Sequence, residues 1–570
     1  MEQIRQLTLN DKEHKDTTLY RLQKGWRLHF VLGSSLQSKA VHVFTNHPPA
    51  HTPLHRPFNR GEFYELQWQS SSKSRCDQSD QYCEIRLHIA GAFQYYFTHG
   101  TNNAPQGSGF FVVDPTLTLA SETDLLSLDC ITLQTVLTKC LGPLTEWERR
   151  LTTARETGYN FIHFTPIQEL GASNSSYSIR DQLKLNPTLS VEGRPAATND
   201  EVAALVARLR HEWGMLSLCD VVWNHTSYDS PWLREHPECG YNACNSPHLR
   251  PAYLLDRVLW HFSLAVGRDE WKEQGIPSSI DNEGQIQRVL EVLSHMVLPK
   301  YKFEEFYQLD VDATVEKFKT AAKACSAVSQ DEATKPDDIK LLQDPEYKRL
   351  GGSINMTKAL QCFNVQRPDT KDEEDRLQES CEALRRHLEA LNGQAAREMS
   401  EDLRIAVLNI TANVRYHHIE ANGPQRREVT RHNPLVPKYF IQEGPDTDPS
   451  QDEVLMDGDQ AQYLWISNGW VMNTDPLLNF ARPGSKVYIR RELIAWGDSV
   501  KLRYGERPED CPYLWDHMLE YSRTMARMFH GLRIDNCHST PIHVAEYFLD
   551  EARRVRPDLY VVAELFTQSE

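Results

Sequence analysis

Residues 531–566, "GLRIDNCHSTPIHVAEYFLDEARRVRPDLYVVAELF", contain two short apolar runs separated by a helical segment. The first run ends in Asp535, and the second carries Glu564 at its end. A strand, a helix and a second strand in this order are typical of a parallel β-sheet whose strands are joined by helices. Because functional side chains of a parallel β/α barrel lie at the carboxyl ends of its strands, we expect both carboxylates to face one cleft.

The same alternation of apolar runs and helical segments occurs earlier in the chain. Three further runs are typical of β-strands: "DCITLQTVL", "FIHFTP" and "MLSLCDVVWNH". Between them, one predicted helix has Thr145 as its N-cap and ends at Gly158, and "TNDEVAALVARLRHEWG" forms the next helix. With the two strands of residues 531–566, the sequence predicts five strands. Because a closed barrel needs eight strands, we expect an α/β fold with an incomplete TIM-type (β/α)8 barrel, in which the chain ends before the barrel closes.

Composition divides the chain into four predicted parts. Residues 1–115 alternate in short runs such as "WRLHFVLG" and "CEIRLHIAG", which predicts an N-terminal β-sandwich domain. Residues 116–255 hold the first three barrel strands, and residues 466–570 hold the fourth and fifth. Residues 256–465 are polar with helical periodicity, which predicts an inserted, mostly helical domain. A helical continuation of the barrel core is the alternative.

Charge and composition indicate which classes of partner are disfavoured and which cellular compartment is expected. The formal net charge of −17 argues against a nucleic acid or an anionic membrane surface as partner. No apolar run is long enough to span a membrane. The N-terminus has no signal-peptide pattern, and the twelve cysteines are dilute and show no paired CxxC spacing. We therefore expect a cytoplasmic protein with reduced thiols.

The two strand-end carboxylates suggest chemistry on glycosidic bonds. Such chemistry needs one carboxylate that attacks or stabilises the anomeric carbon and a second that gives and then takes a proton. Arg533 lies two residues before Asp535, so both side chains share a strand face and the guanidinium is predicted to keep this carboxylate ionised. Glu564 lies between "VVA" and Leu565-Phe566, an apolar setting that favours a protonated acid. The sequence therefore predicts Asp535 as nucleophile and Glu564 as proton donor.

A third strand end adds polar side chains to the same predicted cleft. "LCDVVWNH" provides Asp220, Asn224 and His225, and "GLRIDNCH" also provides His538. Acids at strand ends are also common as helix N-caps, so each motif alone has a structural explanation. Three such strand ends in one chain favour a catalytic cleft.

These three motifs are recognisable together. "DVVWNH", "GLRIDNCH" and "VVAEL" resemble, in order, strand-end motifs of the α-amylase superfamily of retaining glycoside enzymes. Longer stretches, such as "EHPECGYNACNSPHLRPA" and "DNCHSTPIHVAEY", are similar to the eukaryotic glycogen debranching enzyme family, in its N-terminal 4-α-glucanotransferase part. The similarity covers essentially the whole chain.

The resemblance implies a glycogen-debranching 4-α-glucanotransferase, which moves a maltooligosaccharide from a branch to another chain end by retaining double displacement. It places Asp535 at the nucleophile, Glu564 at the acid/base and Arg533 at the arginine that orients the nucleophile. It also implies substrate-binding positions, a stacking tyrosine among them: Tyr177, Asp220, Asn224, His225 and His538. The implied partners are glycogen and α-1,4-linked oligosaccharides, with no cofactor and no metal ion.

Two departures from the superfamily pattern affect the expected activity. The superfamily's third catalytic carboxylate follows a histidine on a later strand, and no His-Asp dipeptide occurs in the chain. The separate α-1,6-glucosidase domain of the family has no counterpart in the sequence. We therefore expect residues 1–570, taken alone, to be an inactive truncation. The alternatives are a non-catalytic glycogen-binding protein and an α-amylase-like hydrolase.

Overall fold

The structure is a computed structural model that describes residues 3–50, 58–70, 81–100, 102–329, 335–366, 370–442, 448–472, 474–475 and 478–566. The chain forms two compact units. The first combines Met1–Ser230 with Tyr504–Phe566, and the second contains Pro231–Arg503. Two segments that are distant in sequence therefore build the first unit.

The first strands of the chain form two sheets around one core. These strands are β1 (Ile4–Leu9), β2 (His14–Gln23), β3 (Arg27–Leu32), β4 (Val41–Thr45), β5 (Tyr64–Leu66), β6 (Trp68–Ser70), β7 (Gln81–Arg86), β8 (Gly91–His99) and β9 (Asn102–Asp114). One sheet has the order β1-β3-β7-β6 and the other the order β2-β9-β8-β4-β5. A single hydrophobic cluster contains buried side chains of both sheets, including Phe30, Phe97 and Phe111. Two sheets that share a core have the arrangement of a β-sandwich.

The sequence prediction missed β1 and β2. Strand β2, "HKDTTLYRLQ", exposes most of its residues. It therefore lacks the alternation of apolar and polar residues that identifies a half-buried strand. Both strands lie at the outer end of their sheets, where one side of the backbone pairs with no strand of the described residues.

The next segment begins a parallel α/β arrangement. Its elements are β10 (Leu117–Thr118), β11 (Leu125–Leu126), β12 (Leu133–Val136), α1 (Leu144–Glu156), β13 (Phe161–Phe164), β14 (Gln168–Leu170), β15 (Ile179–Leu185), α2 (Asn199–Trp213), β16 (Leu216–Val222) and β17 (His225–Ser227). Helix α2 has the predicted ends: Thr198 and Glu201 form a capping box, and Gly214 adopts the left-handed conformation that ends the helix.

Helix α1 begins differently from the prediction. The predicted N-cap Thr145 lies inside the helix, and extended Pro143 precedes its first residue, Leu144. Proline is suited to a helix start because it has no N–H group that the first turn would leave unpaired. Gly158 has a positive φ and follows the C-cap, as predicted.

The second unit is mainly helical. Its helices and strands are α3 (Pro231–Glu235), α4 (Arg250–Gly267), α5 (Glu283–Val292), a π-helix (Leu293–Val297), α6 (Val311–Lys323), α7 (Met356–Phe363), α8 (Glu373–His418), β18 (Phe440–Gln442), α9 (Pro449–Leu455), β19 (Leu464–Val471) and β20 (Leu493–Lys501). Strands β18, β19 and β20 pair antiparallel.

This unit begins before and ends after the predicted insertion 256–465. The reason is its core, in which side chains of α4 and α8 share one hydrophobic cluster with Ile466 of β19 and Leu493 of β20. Strands β19 and β20 therefore belong to the same compact unit as the helices. The assignment of this segment as an inserted domain stays a prediction.

The last segment completes a parallel sheet in the first unit. It contains α10 (Pro512–Met528), β21 (Gly531–Asp535), α11 (Ile542–Val555) and β22 (Tyr560–Ala563). The sheet has the order β12-β13-β16-β21-β22, and every neighbouring pair is parallel. The five parallel strands predicted from the sequence are confirmed, and their carboxyl ends meet at one edge of the sheet. Within the described part of the chain, no helix combines the length and apolarity that crossing a membrane requires.

Candidate active site

Strand register aligns the polar residues of the parallel sheet. Asp220 on β16 lies opposite Arg533 on β21. Ile534 pairs with Ala563, so Asp535 and Glu564 follow at the ends of two neighbouring strands. Residues that share a register position in a parallel sheet point to the same face. The candidate carboxylates are therefore brought together as predicted.

Arg533 lies among three carboxylates. Its Nη1 donates to Asp220 Oδ1 at 2.5 Å and to Asp535 Oδ1 at 3.4 Å. Its Nη2 lies 2.7 Å from Glu564 Oε1. Burial disfavours the charged guanidinium, but the charge of Asp220, its hydrogen bond and the charge of Glu564 together outweigh this effect, so the pKa of Arg533 lies above its ordinary value. The arginine is thus a fixed cation that links both candidate catalytic residues.

The surroundings of Asp535 differ from the prediction. Only 3% of the residue is exposed. Burial, followed by the charges of Glu564 and Asp220, raises the pKa of Asp535 well above its ordinary value despite Arg533. The expectation that Arg533 would keep this carboxylate ionised disagrees with this direction, because the same guanidinium is shared with two other acids.

The predicted apolar setting of Glu564 is also wrong. Its Oε1 is paired with Arg533, and its Oε2 accepts the backbone N–H of Asn536 at 2.8 Å. Leu565 and Phe566 remain 58% and 53% exposed and do not enclose the carboxyl group. Sequence neighbours suggested an apolar pocket, but contacts from the neighbouring strand decide the environment.

Asn536 is a site residue that sequence reasoning missed. It has a φ of 50°, in the left-handed region, where asparagine is tolerated better than most side chains. Its backbone binds Glu564, and its Nδ2 donates to Asp535 Oδ2 at 3.2 Å. One residue thus holds both carboxylates. Its position directly after a strand-end acid was the available signal.

Asn224, His225 and Tyr177 are held together on the same side of the site. His225 Nδ1 lies 2.6 Å from Asn224 Oδ1, and His225 Nε2 lies 3.0 Å from the Tyr177 carbonyl oxygen. The Tyr177 ring lies under Arg533, whose Cζ is 5.7 Å from the ring centroid. Of these predicted substrate-binding residues, Tyr177 lies beside the arginine, and His225 links it to Asn224.

His538 occupies the loop that follows β21. Its ring packs edge-on against Phe566 at 5.3 Å between centroids, and its Nδ1 accepts the Phe566 N–H at 3.4 Å. The next residue, Ser539, accepts a hydrogen bond from Asn224 Nδ2 at 2.7 Å. His538 thus belongs to the wall of the site, next to the end of β22.

Two further residues extend the polar network away from the carboxylate pair. His163 Nε2 lies 2.9 Å from Asp220 Oδ2, and its Nδ1 lies 3.0 Å from Thr135 Oγ1. Sequence reasoning missed both, although a histidine inside the apolar run "FIHFTP" was a visible signal. The described residues contain no group of three or more His, Cys, Asp or Glu side chains that could hold a metal ion.

Comparison with protein families identifies the chain. The family model described as the glucanotransferase domain of glycogen debranching enzyme matches residues 124–560. The chain belongs to this family. A second family model, the N-terminal domain from the human glycogen debranching enzyme, matches residues 28–120. The resemblance inferred from the motifs is therefore confirmed.

Individual relatives agree with the family. Glycogen debranching enzyme of Saccharomyces cerevisiae is 34% identical over 582 residues, which cover 98% of this chain and 35% of the yeast protein. The chain thus spans about a third of the length of this curated relative.

Solved structures overlap only loosely. A maltogenic α-amylase from Thermotoga neapolitana is 23% identical, covers 21% of this chain and 29% of its own, and has a TM-score of 0.18. An α-amylase from Geobacillus thermoleovorans complexed with acarbose is 11% identical, with coverage of 75% and 42% and a TM-score of 0.25. Neither overlap is close enough to transfer a structural feature to this chain.

Proposed function

We propose that this glycogen debranching enzyme family member is a 4-α-glucanotransferase that moves a maltooligosaccharide from a branch to another chain end. The observation that carries the proposal is the pair of carboxylates at neighbouring strand ends, bridged by Arg533, which lies 3.4 Å from Asp535 and 2.7 Å from Glu564. Two carboxylates in one cleft are the requirement of retaining glycoside chemistry.

The proposed reaction is a double displacement. In the first step Asp535 attacks the anomeric carbon, while Glu564 gives its proton to the glycosidic oxygen that leaves. This forms a covalent glycosyl-enzyme and releases the shortened donor chain. In the second step Glu564 takes the proton of an acceptor hydroxyl, whose oxygen replaces Asp535 at the anomeric carbon. Each step conserves the proton and the glycosyl group.

The charge balance of the site supports one proton that the two acids share. Three acids surround a single guanidinium, so the cluster favours the uptake of one proton. When that proton lies on Glu564, Asp535 remains the ionised nucleophile, which Arg533 and the Asn536 amide stabilise. One proton on the pair thus leaves one acid to act as nucleophile and the other to act as proton donor.

The substrate is proposed to be glycogen and α-1,4-linked oligosaccharides. His225, Asn224 and Asp220 line the position of the cleaved sugar, and the Tyr177 ring provides an aromatic face for it. His538 would contact the acceptor side. We propose no cofactor, no metal ion, no nucleic-acid or membrane partner, and a cytoplasmic location.

The proposed architecture is an incomplete (β/α)8 barrel with an inserted helical domain. The parallel sheet β12-β13-β16-β21-β22 supports the barrel part. The return of the chain to this sheet after Pro231–Arg503 supports the insertion, because β16 pairs directly with β21. The N-terminal β-sandwich precedes both.

Product analysis with maltopentaose tests the proposed function. Residues 1–570 extended by the remaining strands of a closed barrel, here called the full-length protein, are expected to produce oligosaccharides both shorter and longer than the substrate, and Asp535→Asn in this protein is expected to produce neither. Products that are only shorter would identify an α-amylase-like hydrolase. Unchanged maltopentaose together with cosedimentation on glycogen would identify a non-catalytic binding protein. Either of these two results overturns the proposal.

A further inference from the structure

A row of polar contacts crosses the whole parallel sheet. It begins at Thr135 on β12, continues through His163 on β13 and Asp220 on β16, and reaches Arg533 on β21. It ends at Glu564, directly after β22. Each strand contributes one residue, or the residue that follows its end. Such a row links side chains that are far apart in the sequence.

Asp220 is the central member of this row. It is fully buried, and its two carboxylate oxygens have different partners. Oδ1 accepts from Arg533, and Oδ2 contacts His163 Nε2 at 2.9 Å. Because Oδ2 is a hydrogen-bond acceptor, the His163 tautomer that carries its hydrogen on Nε2 satisfies this contact. The Nδ1 atom can then accept from the Thr135 hydroxyl at 3.0 Å.

Strand register explains why His163 reaches Asp220. His163 lies opposite Leu218, and Asp220 is two residues further along β16 on the same face of the strand. Thr135 lies directly opposite His163 on the other side. The side chain of His163 is only 7% exposed. The ring is therefore held by its neighbours in one orientation.

We infer that His163 is a positioning residue for glucan transfer. Its Nε2–H occupies Asp220 Oδ2, which leaves only Oδ1 available to Arg533. The second guanidinium nitrogen, Nη2, is then free to contact Glu564. The inference rests on the proposed function, and it adds a residue that acts on the carboxylate pair through Asp220 and Arg533.

Loss of the His163 donor has a specific structural consequence. When Oδ2 of Asp220 is unoccupied, Arg533 can bind both carboxylate oxygens with its Nη1 and Nη2 atoms. Such bidentate pairing is the favoured arginine–carboxylate geometry. Nη2 would then leave Glu564. Among the residues proposed to line the cleaved sugar, His163 contacts only Asp220 in the described hydrogen bonds, and both oxygens of that buried carboxylate are already engaged by protein groups. The expected defect is therefore in kcat and not in KM.

Two amide variants separate this role from simple packing. In His163→Gln the side-chain amide nitrogen reaches about the position of Nε2 and still donates to Asp220. In His163→Asn the amide nitrogen reaches about the position of Nδ1 and contacts only Thr135. Both variants are polar and uncharged, but asparagine is one methylene smaller, so His163→Met, which fills the volume without a donor, is measured beside them: a lost donor lowers the activity of His163→Met as well, whereas a packing role alone does not.

Steady-state kinetics in the full-length protein provides the first readout. His163→Gln is expected to keep kcat within about threefold of wild type, whereas His163→Asn is expected to lose about 10- to 100-fold, the size of a lost hydrogen bond to a charged group. KM should change less than about twofold in both, as for an interaction absent from ground-state binding. Equal losses in the two variants, or full activity of His163→Asn, would overturn the inference.

Crystal structures of both variants provide a second readout that needs no activity. Arg533 should keep its contact with Glu564 in His163→Gln and turn to Asp220 in His163→Asn. If wild type transfers no glucan, the proposed function fails, and the position of Arg533 still decides the role of His163. An unmoved Arg533 in His163→Asn refutes that role. If His163→Asn does not fold, His163→Met, which fills the volume without a donor, replaces it in both experiments.

Discussion

At the centre of the site, one positively charged arginine contacts three acidic side chains. Asp220, Asp535 and Glu564 all contact Arg533. If all three acids were ionised, two negative charges would remain uncompensated in a largely buried place, which favours the binding of a proton. A retaining mechanism needs one protonated and one ionised acid at the same time. The stoichiometry of one guanidinium to three carboxylates thus fits the proposed chemistry.

The raised pKa of Asp535 lowers the free energy of unfolding at neutral pH. Burial raises the pKa of Asp535 above its ordinary value of 3.8. Between 3.8 and the raised value, the folded protein keeps a proton that the unfolded chain has lost, so the free energy of unfolding decreases as pH rises. Asp535→Asn does not titrate, and its stability relative to wild type should therefore increase with pH, by about 1.4 kcal/mol for each unit of the pKa shift.

Urea unfolding of wild type and Asp535→Asn at about pH 5 and about pH 8 measures this difference. Asp124→Asn, at an exposed position, is the matched control and should follow the wild-type pH dependence. A stability difference that stays constant with pH, or that favours wild type more strongly at the higher pH, would contradict the raised pKa of Asp535.

Asn536 combines a backbone role with a side-chain role, and two substitutions separate them. Asn536→Gly keeps the left-handed backbone that presents the N–H to Glu564 but removes the side-chain bond to Asp535. Asn536→Ala removes the same bond and also strains the backbone, at a cost of about 1 kcal/mol. We expect both variants to lose kcat to a similar extent. Asn536→Ala should lower the free energy of unfolding by more than Asn536→Gly does, and equal stability of the two variants would show that the left-handed conformation carries no strain.

The sequence predicts which acids meet but not how they interact. Asp535 and Glu564 follow from the positions of strand ends, which apolar runs reveal. The partners of Glu564 do not follow, because Arg533 and Asn536 belong to a neighbouring strand end. His163 could not be assigned for the same reason, since its contact with Asp220 depends on the order of strands in the sheet.

Helix α11 connects the two strands that carry the candidate catalytic acids, and the N-terminal part of the chain binds it. Arg60 donates from Nε and Nη2 to the two oxygens of Asp550 at 3.2 and 2.7 Å. Lys24 contacts Asp558, which follows the helix, at 2.9 Å. Burial raises the pKa of Asp550 even though Arg60 opposes the shift. This pair therefore fixes a partly buried carboxylate on α11.

Removing Arg60 should destabilise the first unit. Arg60→Met leaves Asp550 without its bidentate partner, and we expect a loss of about 1–3 kcal/mol in the free energy of unfolding, less than for a fully buried pair. The double variant Arg60→Met/Asp550→Leu should recover part of this loss, because the unpaired charge is gone. Arg149→Met is the control, since its partner Glu146 forms an exposed pair that contributes little. Additive effects of the Arg60 and Asp550 substitutions would show that the two residues do not interact.

Elements with a strong local pattern were predictable, and elements whose burial depends on other strands were not. The five parallel strands have apolar sequences because the sheet buries them; β16, for example, is buried at every residue. Helix α2 has both of its predicted caps. Strand β2 has no such pattern, because most of its residues are exposed and only its pairing with β9 makes it a strand.

The whole molecule consists of two compact units, and the hydrophobic clusters that contain Leu28 and Leu255 lie in different units. The core of the β-sandwich includes Leu28, and the core of the second unit includes Leu255; neither residue is exposed. Cooperative unfolding follows from a shared core, and a long chain with separate cores commonly departs from two-state behaviour. The two units are therefore expected to unfold in separate transitions.

Matched leucine substitutions test this expectation. Leu28→Ala and Leu255→Ala each remove a fully buried side chain, which costs about 2–5 kcal/mol in the core that loses it. Urea unfolding followed by circular dichroism should show two transitions in wild type. Leu28→Ala should lower the midpoint of one transition, and Leu255→Ala should lower that of the other, because each cavity destabilises only the unit that contains it. A single transition that both substitutions shift by the same amount would mean that the two cores unfold as one cooperative structure.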